Sequence, residues 1–343
     1  MSIKISDQRK VGTTNLSLPV LGLGSAPLGE IFAKIDEEDA RGTLNAAWDN
    51  GVRFYDTAPW YGRGLAEHRM GGFLRTKPRD EFKITTKVGR TLFRPKEPKK
   101  LDRSPWKGGL NFEVNFDYSY DGIMNSYEQA LVRLALDTVD ALVIHDLDSM
   151  YHPDPDIFAK HQKDLRDTGM KALEELKSRG DIQAYGMGVN TADALVDVVS
   201  QVDLDFTIVA MPYTLIDQSS LHTGMAKLIE RNISVIIGSP FASGILVTGA
   251  VEGCTYNYEL ATEEIIKKVR GIEAVCDAHK VRLGAAAMQF VLAHPAVAAI
   301  IPGAVKASEV TQNVASLQTP IPADFWADLK AKGLIVEDAP TPE

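Results

Sequence analysis

A chain of 343 residues with ordinary apolar, charged and aromatic fractions can bury a large core, as one big domain or two smaller ones. Its formal net charge of −9 argues against a nucleic-acid or anionic-membrane surface, since either needs clustered Lys and Arg. The two cysteines, Cys254 and Cys276, make no C-x-x-C and no metal-ligand spacing with histidine, so neither a disulfide framework nor a metal site is expected, and a reducing cytosol is indicated. The first ten residues lack an apolar signal core, and the most apolar stretch, 285–301, is split by His294-Pro295, so no signal peptide and no membrane span is expected.

Residues 10–18 alternate around Gly12-Thr13-Thr14-Asn15, which predicts a short hairpin acting as a plug on one end of the main fold. From Val20 onward, short apolar runs alternate with amphipathic segments. Strands are expected at 20–24, 52–56, 82–87, 141–145, 183–188, 206–211, 233–238 and 297–301. Helices are expected at 37–50, 66–75, 120–136, 168–179, 191–200, 221–231, 262–279 and 306–317. Gly51, Gly180 and Asn232 stand where a left-handed residue closes a helix. Eight strand–helix alternations predict one closed (β/α)8 barrel of the TIM type spanning 1–343. A doubly wound sheet would want a G-x-G-x-x-G turn, and the nearest match, from Gly22, has Pro27 in its sixth position.

Three connections are too long for simple turns: 90–120, rich in aromatics, 146–166 and 241–259. All follow strands, which places them on the C-terminal face of such a barrel, where its active sites lie. The first reads as a lid. The tail, 319–343, is too ordinary in composition to assign.

In this frame Asp56 ends the second strand, Tyr61 lies in its loop, Lys87 ends the third strand and His145 the fourth. Adjacent strands lie ~5 Å apart, so side chains at neighbouring ends can touch. A phenol with a pKa of ~10 is a poor base near neutrality, and a nearby ammonium favours the phenolate. Lys87 supplies that ammonium, Asp56 holds it, His145 orients a substrate oxygen and Tyr61 moves the proton. None of these carries hydride, so a nicotinamide must supply that half of the chemistry.

The segments Gly51-Val-Arg-Phe-Tyr-Asp56-Thr-Ala-Pro-Trp-Tyr61-Gly, Lys83-Ile-Thr-Thr-Lys87, Leu142-Val-Ile-His145, Gly186-Met-Gly-Val-Asn190 and Ile301-Pro-Gly303 leading to Gln312-Asn313 resemble the aldo-keto reductases, in that family's order. The resemblance implies an (α/β)8 barrel, NAD(P)(H) bound without a Rossmann motif, and a tetrad of Asp56, Tyr61, Lys87 and His145. It implies further that Asn190 binds the nicotinamide carboxamide and that Ser239, Phe241, Gly244 and Leu246 belong to the segment covering the pyrophosphate. Ala210 replaces a frequent glutamine, and Gly238 replaces a frequent stacking aromatic, for which Tyr213 or Phe241 could compensate.

The resemblance also places the adenosine end of the cofactor near Gly303, Lys306, Glu309, Gln312 and Asn313. Of these only Lys306 is basic, and Glu309 stands where an arginine often meets the 2′-phosphate of NADP. A carboxylate there repels phosphate and accepts from a free ribose hydroxyl, so NAD is expected over NADP.

Within the family, the long third loop and His145-Asp146-Leu147-Asp148 resemble a subgroup of NAD-linked dehydrogenases acting on pyridoxal or on D-threo-aldoses such as L-fucose. These oxidise a cyclic hemiacetal to its lactone. Trp60, Trp106 and Phe116 are the aromatic residues expected to meet such a substrate. The alternatives are an NADPH-dependent aldehyde or ketone reductase and a non-enzymatic nicotinamide-binding subunit, against which the intact tetrad speaks.

Overall fold

The computed structural model describes residues 3–31 and 33–342. Two short strands, β1 (Gln8–Lys10) and β2 (Ser17–Pro19), pair antiparallel ahead of the barrel. The barrel strands that follow are β3 (Leu23–Gly24), β4 (Phe54–Asp56) and β5 (Lys83–Val88). A lid ribbon of β6 (Arg90–Phe93) and β7 (Glu113–Phe116) interrupts them. The series then resumes with β8 (Ala141–Ile144), β9 (Ala184–Val189), β10 (Phe206–Val209) and β11 (Ser234–Ile237). A second ribbon, β12 (Thr255–Tyr256) and β13 (Glu259–Leu260), precedes the last barrel strand, β14 (Val297–Ile300). Eight parallel strands pair in the order β14-β11-β10-β9-β8-β5-β4-β3. Parallel bridges from Leu21 to Ile300 and from Gly24 to Gly303 close the ring. The expected (β/α)8 barrel is the observed fold.

Alternation of side chains along each strand sorts the interior into layers. Phe54, Ala141, Val143, Ala184, Phe206, Ile208, Ile236, Ala299 and Ile301 pack inside, and Val11, Leu16 and Leu18 of the N-terminal hairpin join them at one end. The same alternation brings Asp56 two residues beyond Phe54, and His145 two beyond Val143, into the opposite, C-terminal end. Residues facing outward meet helices: Thr86 Oγ1 donates to the fully buried Glu67, whose other oxygen takes Arg133 Nε at 2.5 Å.

Several helices run where sequence periodicity read loop or tail. The segment between β8 and β9 holds a helix, Pro155–Asp164, opened by Asp154 accepting from the Asp156 and Ile157 amides, and a π-helical turn, Leu165–Gly169, joins it to Met170–Arg179. The apolar stretch near the C-terminus is a helix, Leu283–Ala293, ending at His294 before β14. Residues Ala323–Ala331 of the tail form a further helix that buries Phe325 and Trp326. Among the described residues, no helix is long and apolar enough to cross a membrane.

Candidate active site

A cavity of about 370 Å³ opens at the C-terminal end of the barrel. Its floor holds Asp56, the last residue of β4, Lys87 near the end of β5, and His145 and Asn190 directly after β8 and β9. Lys87 Nζ lies 2.6 Å from Asp56 Oδ2 and donates to the Thr57 carbonyl at 2.9 Å. Thr85 Oγ1 donates to the other Asp56 oxygen at 2.7 Å, so the buried carboxylate has partners on both oxygens.

Tyr61 reaches this pair from a turn rather than a strand. Gly62 takes a φ of +64°, and its Cα packs so tightly on Gly29 that a Cβ at Gly29 would sit 2.6 Å from the Gly62 nitrogen. Neither position accommodates a side chain, and the ring is thereby set down over Lys87, whose Nζ lies 4.6 Å from its centroid. The imidazole of His145 stands edge-on to the same ring, with centroids 5.9 Å apart. The lid loop is tied over the turn by Leu110 N–H to the Gly62 carbonyl and Lys107 N–H to the Glu30 carbonyl, each at 2.8 Å. Trp106, 4% exposed, descends from the lid to lie 5.6 Å from Trp60 and 5.9 Å from Tyr61 between centroids.

Burial drives the electrostatics. It pushes the Tyr61 phenol well above its ordinary range, and Asp56 and then Asp146 add to the effect. Lys87 Nζ sits over the Tyr61 ring while paired with Asp56 at contact distance, and burial outweighs its charge at the resting phenol. His145 is held well below its ordinary range by burial and then by Arg90 and Lys87, so the imidazole is neutral.

The other expected residues divide into two groups. Ser239, Phe241, Gly244, Gly303, Trp60 and Trp106 line the cavity with Asn190, as do Ala210 and Gly238. Leu246 is buried beneath the loop, its N–H bound to the Phe241 carbonyl at 3.2 Å. Gln312 is exposed on the last barrel helix, Ala307–Gln318, Lys306 is exposed at its N-cap, and Asn313 faces a separate small crevice beside Leu21 and Val52. Glu309 accepts the Val305 N–H at 2.8 Å, which anchors its carboxylate at the start of that helix. Phe116 lies behind the wall, 4.7 Å from the Arg90 guanidinium and stacked on Tyr118. Tyr213 is fully buried against Phe290 and cannot face a cofactor.

Ser25, Asp146, Tyr151 and Tyr258 also line the cavity, though the sequence reading gave none of them a role in the site. Ser25, just past β3, is fully buried with its hydroxyl unpartnered. Asp146 follows His145 in a left-handed conformation, with φ +49°. Tyr151 comes from the loop after β8. Tyr258 comes from the turn of the second ribbon, where Ser239 hydrogen-bonds its hydroxyl and opposes the upward push of burial. For Tyr151 and Tyr258 the sequence signal was loop length, which marks the face of the barrel but not the side chains that turn inward, while Asp146 entered only within the His145-Asp146-Leu147-Asp148 resemblance.

The profile of the aldo/keto reductase family matches residues 20–333. A pyridoxal 4-dehydrogenase from Microbacterium luteolum is 39% identical over 98% of this chain and all of its own length. A D-threo-aldose 1-dehydrogenase from a Pseudomonas species is 35% identical, covering 98% of this chain and 99% of the relative. Among solved structures, a holo-form aldo-keto reductase from Bacillus halodurans superposes with a TM-score of 0.72 at 24% identity, covering 98% of both chains. The barrel, the strand-end cluster and these full-length matches lead to one conclusion: the chain belongs to the aldo/keto reductase family.

Proposed function

We propose that this oxidoreductase is an NAD-dependent dehydrogenase that oxidises the cyclic hemiacetal of a small polar aldehyde to its lactone. The observation carrying this reading is the buried Lys87–Asp56 pair beneath Tyr61, with His145 beside it, at the floor of a cavity walled by Trp60, Trp106, Tyr151 and Tyr258. The two full-length relatives carry dehydrogenase names, for pyridoxal and for D-threo-aldoses.

The chain's residues fit a dinucleotide. The unpartnered Ser25 hydroxyl belongs to a residue lining the cavity, and the loop from Ser239 to Gly244 borders it with left-handed residues at Ala242, Ser243 and Gly244. Asn190 and Ser25 would hold the nicotinamide end, and Ser239, Phe241 and Gly244, with Leu246 beneath them, the pyrophosphate. Gly303, Lys306, Glu309 and Gln312 would flank the adenosine, whereas Asn313, expected there too, faces the separate crevice. Bound NAD supplies the hydride acceptor. Tyr61 takes the proton of the anomeric hydroxyl, Lys87 stabilises the phenolate that precedes this step, Asp56 keeps Lys87 in place, and His145 donates to the substrate oxygen. Trp60 and Trp106 cover the substrate and exclude water.

Glu309 is already bound to its own helix start, so a 2′-phosphate would meet a fixed negative charge. The ratio of kcat/KM for NAD over NADP is therefore expected to be about 10 or more, corresponding to at least about 1.4 kcal/mol, and Glu309→Gln should reduce it. A clear NADP preference in the unaltered protein would sink the charge argument.

The direct test is initial-rate NADH formation at mildly alkaline pH with pyridoxal, L-fucose, D-arabinose or L-galactose. One substrate should stand well above the rest. Turnover of none with NAD, combined with NADPH-dependent reduction of simple aldehydes, would replace this reading with that of a carbonyl reductase.

A further inference from the structure

Arg90 is the largest fully buried side chain among the described residues, at 1% exposure, and the tetrad does not use it. It begins the lid ribbon three residues beyond Lys87. Its guanidinium lies 4.9 Å from the ring centroid of Trp60, 4.7 Å from Phe116 and 4.9 Å from Tyr151, three aromatics from three separate loops. Its terminal nitrogen donates to Asp146 Oδ2 at 2.6 Å.

Asp146 is itself placed with care. Its left-handed φ of +49° is costly for a non-glycine residue, and the corner is fixed from behind: Tyr118 Oη donates to the His145 carbonyl at 2.8 Å and meets His152 Nε2 at 3.1 Å. From this corner the carboxylate turns back on the preceding residue, its Oδ2 lying 3.2 Å from His145 Nε2, while Oδ1 accepts from Asn190 Nδ2 at 3.1 Å. One buried carboxylate therefore touches both His145 and Asn190.

A neutral imidazole carries one N–H, and its neighbours decide which nitrogen holds it. His145 Nδ1 has no partner, whereas Nε2 faces Asp146. An ionised carboxylate can only accept, which puts the proton on Nε2, but a protonated carboxyl can donate to Nε2 and so move the imidazole proton to Nδ1. Burial pushes Asp146 toward protonation and Asp148 adds to it, while Arg90, then Asn190 and Lys87, oppose. The phenols facing this group, Tyr61, Tyr118 and Tyr151, are themselves raised by burial and stay neutral.

We propose that Arg90 is a positioning residue which, by keeping Asp146 an acceptor, fixes the His145 ring proton on Nε2. That this N–H serves a substrate oxygen rests on the dehydrogenase reading above. The tautomer itself does not, and it can be measured without any substrate.

The test is 15N NMR of the ring nitrogens in protein labelled at histidine, with His145→Gln assigning the His145 signals. Unaltered protein and Arg90→Lys should show protonated Nε2 and unprotonated Nδ1 at His145. Arg90→Met and Arg90→Gln should show the reverse. On whichever substrate turns over, Arg90→Met should lose about 10²-fold in kcat, the order seen on removing one oriented donor, and Arg90→Lys should keep kcat within about tenfold. The proposal is overturned if the neutral variants keep Nε2–H, or if Arg90→Lys loses Nε2–H or falls as far in kcat as Arg90→Met. Should Arg90→Met fail to fold, Arg90→Lys and Arg90→Gln carry the same decision.

Discussion

Replacing Tyr61 by Phe is expected to lower kcat for hemiacetal oxidation by about 10³-fold, within the range that a positioned acid–base group contributes. The ring would stay where it is, since the Gly29–Gly62 contact fixes the backbone of its turn, Trp106, His145 and Lys87 flank it, and among the described residues no hydrogen bond of the hydroxyl is part of that packing. NADH affinity should therefore change little, which separates loss of the proton carrier from loss of the site. The pH dependence follows from the same burial. Removing a proton from the substrate needs the phenolate, yet burial, Asp56 and Asp146 hold the phenol well above its ordinary range. The phenolate fraction then rises with pH throughout the neutral and mildly alkaline region, and log kcat/KM for oxidation should rise with it, with no plateau near pH 7. Aldehyde reduction, which draws on the phenol, should be flat over the same interval. Steady-state profiles in both directions would decide this. A Tyr61→Phe enzyme retaining a tenth of the activity would remove Tyr61 from the mechanism.

The cluster was legible in the sequence because two regularities fix it. Strand alternation decides that Asp56, Lys87 and His145 point inward, and parallel strand order decides that they share an end. Glu309 was legible in position, but its bond to the Val305 N–H was not, since that depends on how the chain enters the last helix. Arg90 was hidden for a different reason. Its burial depends on Trp60, Phe116, Tyr151 and Asp146, which belong to three different stretches of chain, and no local pattern announces their meeting. Phe116 was read as a substrate contact because an aromatic in a lid looks like one, whereas the ribbon pairing of Arg90 with Phe116 turns it to the back of the guanidinium. Helix Leu283–Ala293 escaped because nearly every residue in it is buried, which removes the one-sided apolar stripe that periodicity detects. Helix Pro155–Asp164 failed oppositely: none of its residues is fully buried, although Asp154-Pro155 is a sound helix start.

Lys87→Met should cost both stability and activity, and a second substitution should separate them. Lys87 and Asp56 are 2% exposed and in direct contact, so removing the ammonium leaves Asp56 buried with Thr85 Oγ1 as its remaining side-chain donor. Breaking a buried pair by deleting one partner costs about 3–5 kcal/mol, mostly from the uncompensated charge left behind. Thermal unfolding should therefore move down by several degrees. In the double variant Asp56→Asn with Lys87→Met no buried charge is orphaned, the thioether occupies the space beneath the Tyr61 ring, and most of the lost stability should return. Activity should not return with it, because no cation remains within 4.6 Å of the Tyr61 ring to stabilise a phenolate. A double variant as stable as the unaltered protein yet still about 10³-fold slower would assign the pair to chemistry rather than to folding. If the double variant instead regained activity along with stability, Lys87 would be a structural lysine, and the electrostatic support for Tyr61 would have to come from elsewhere in the cavity.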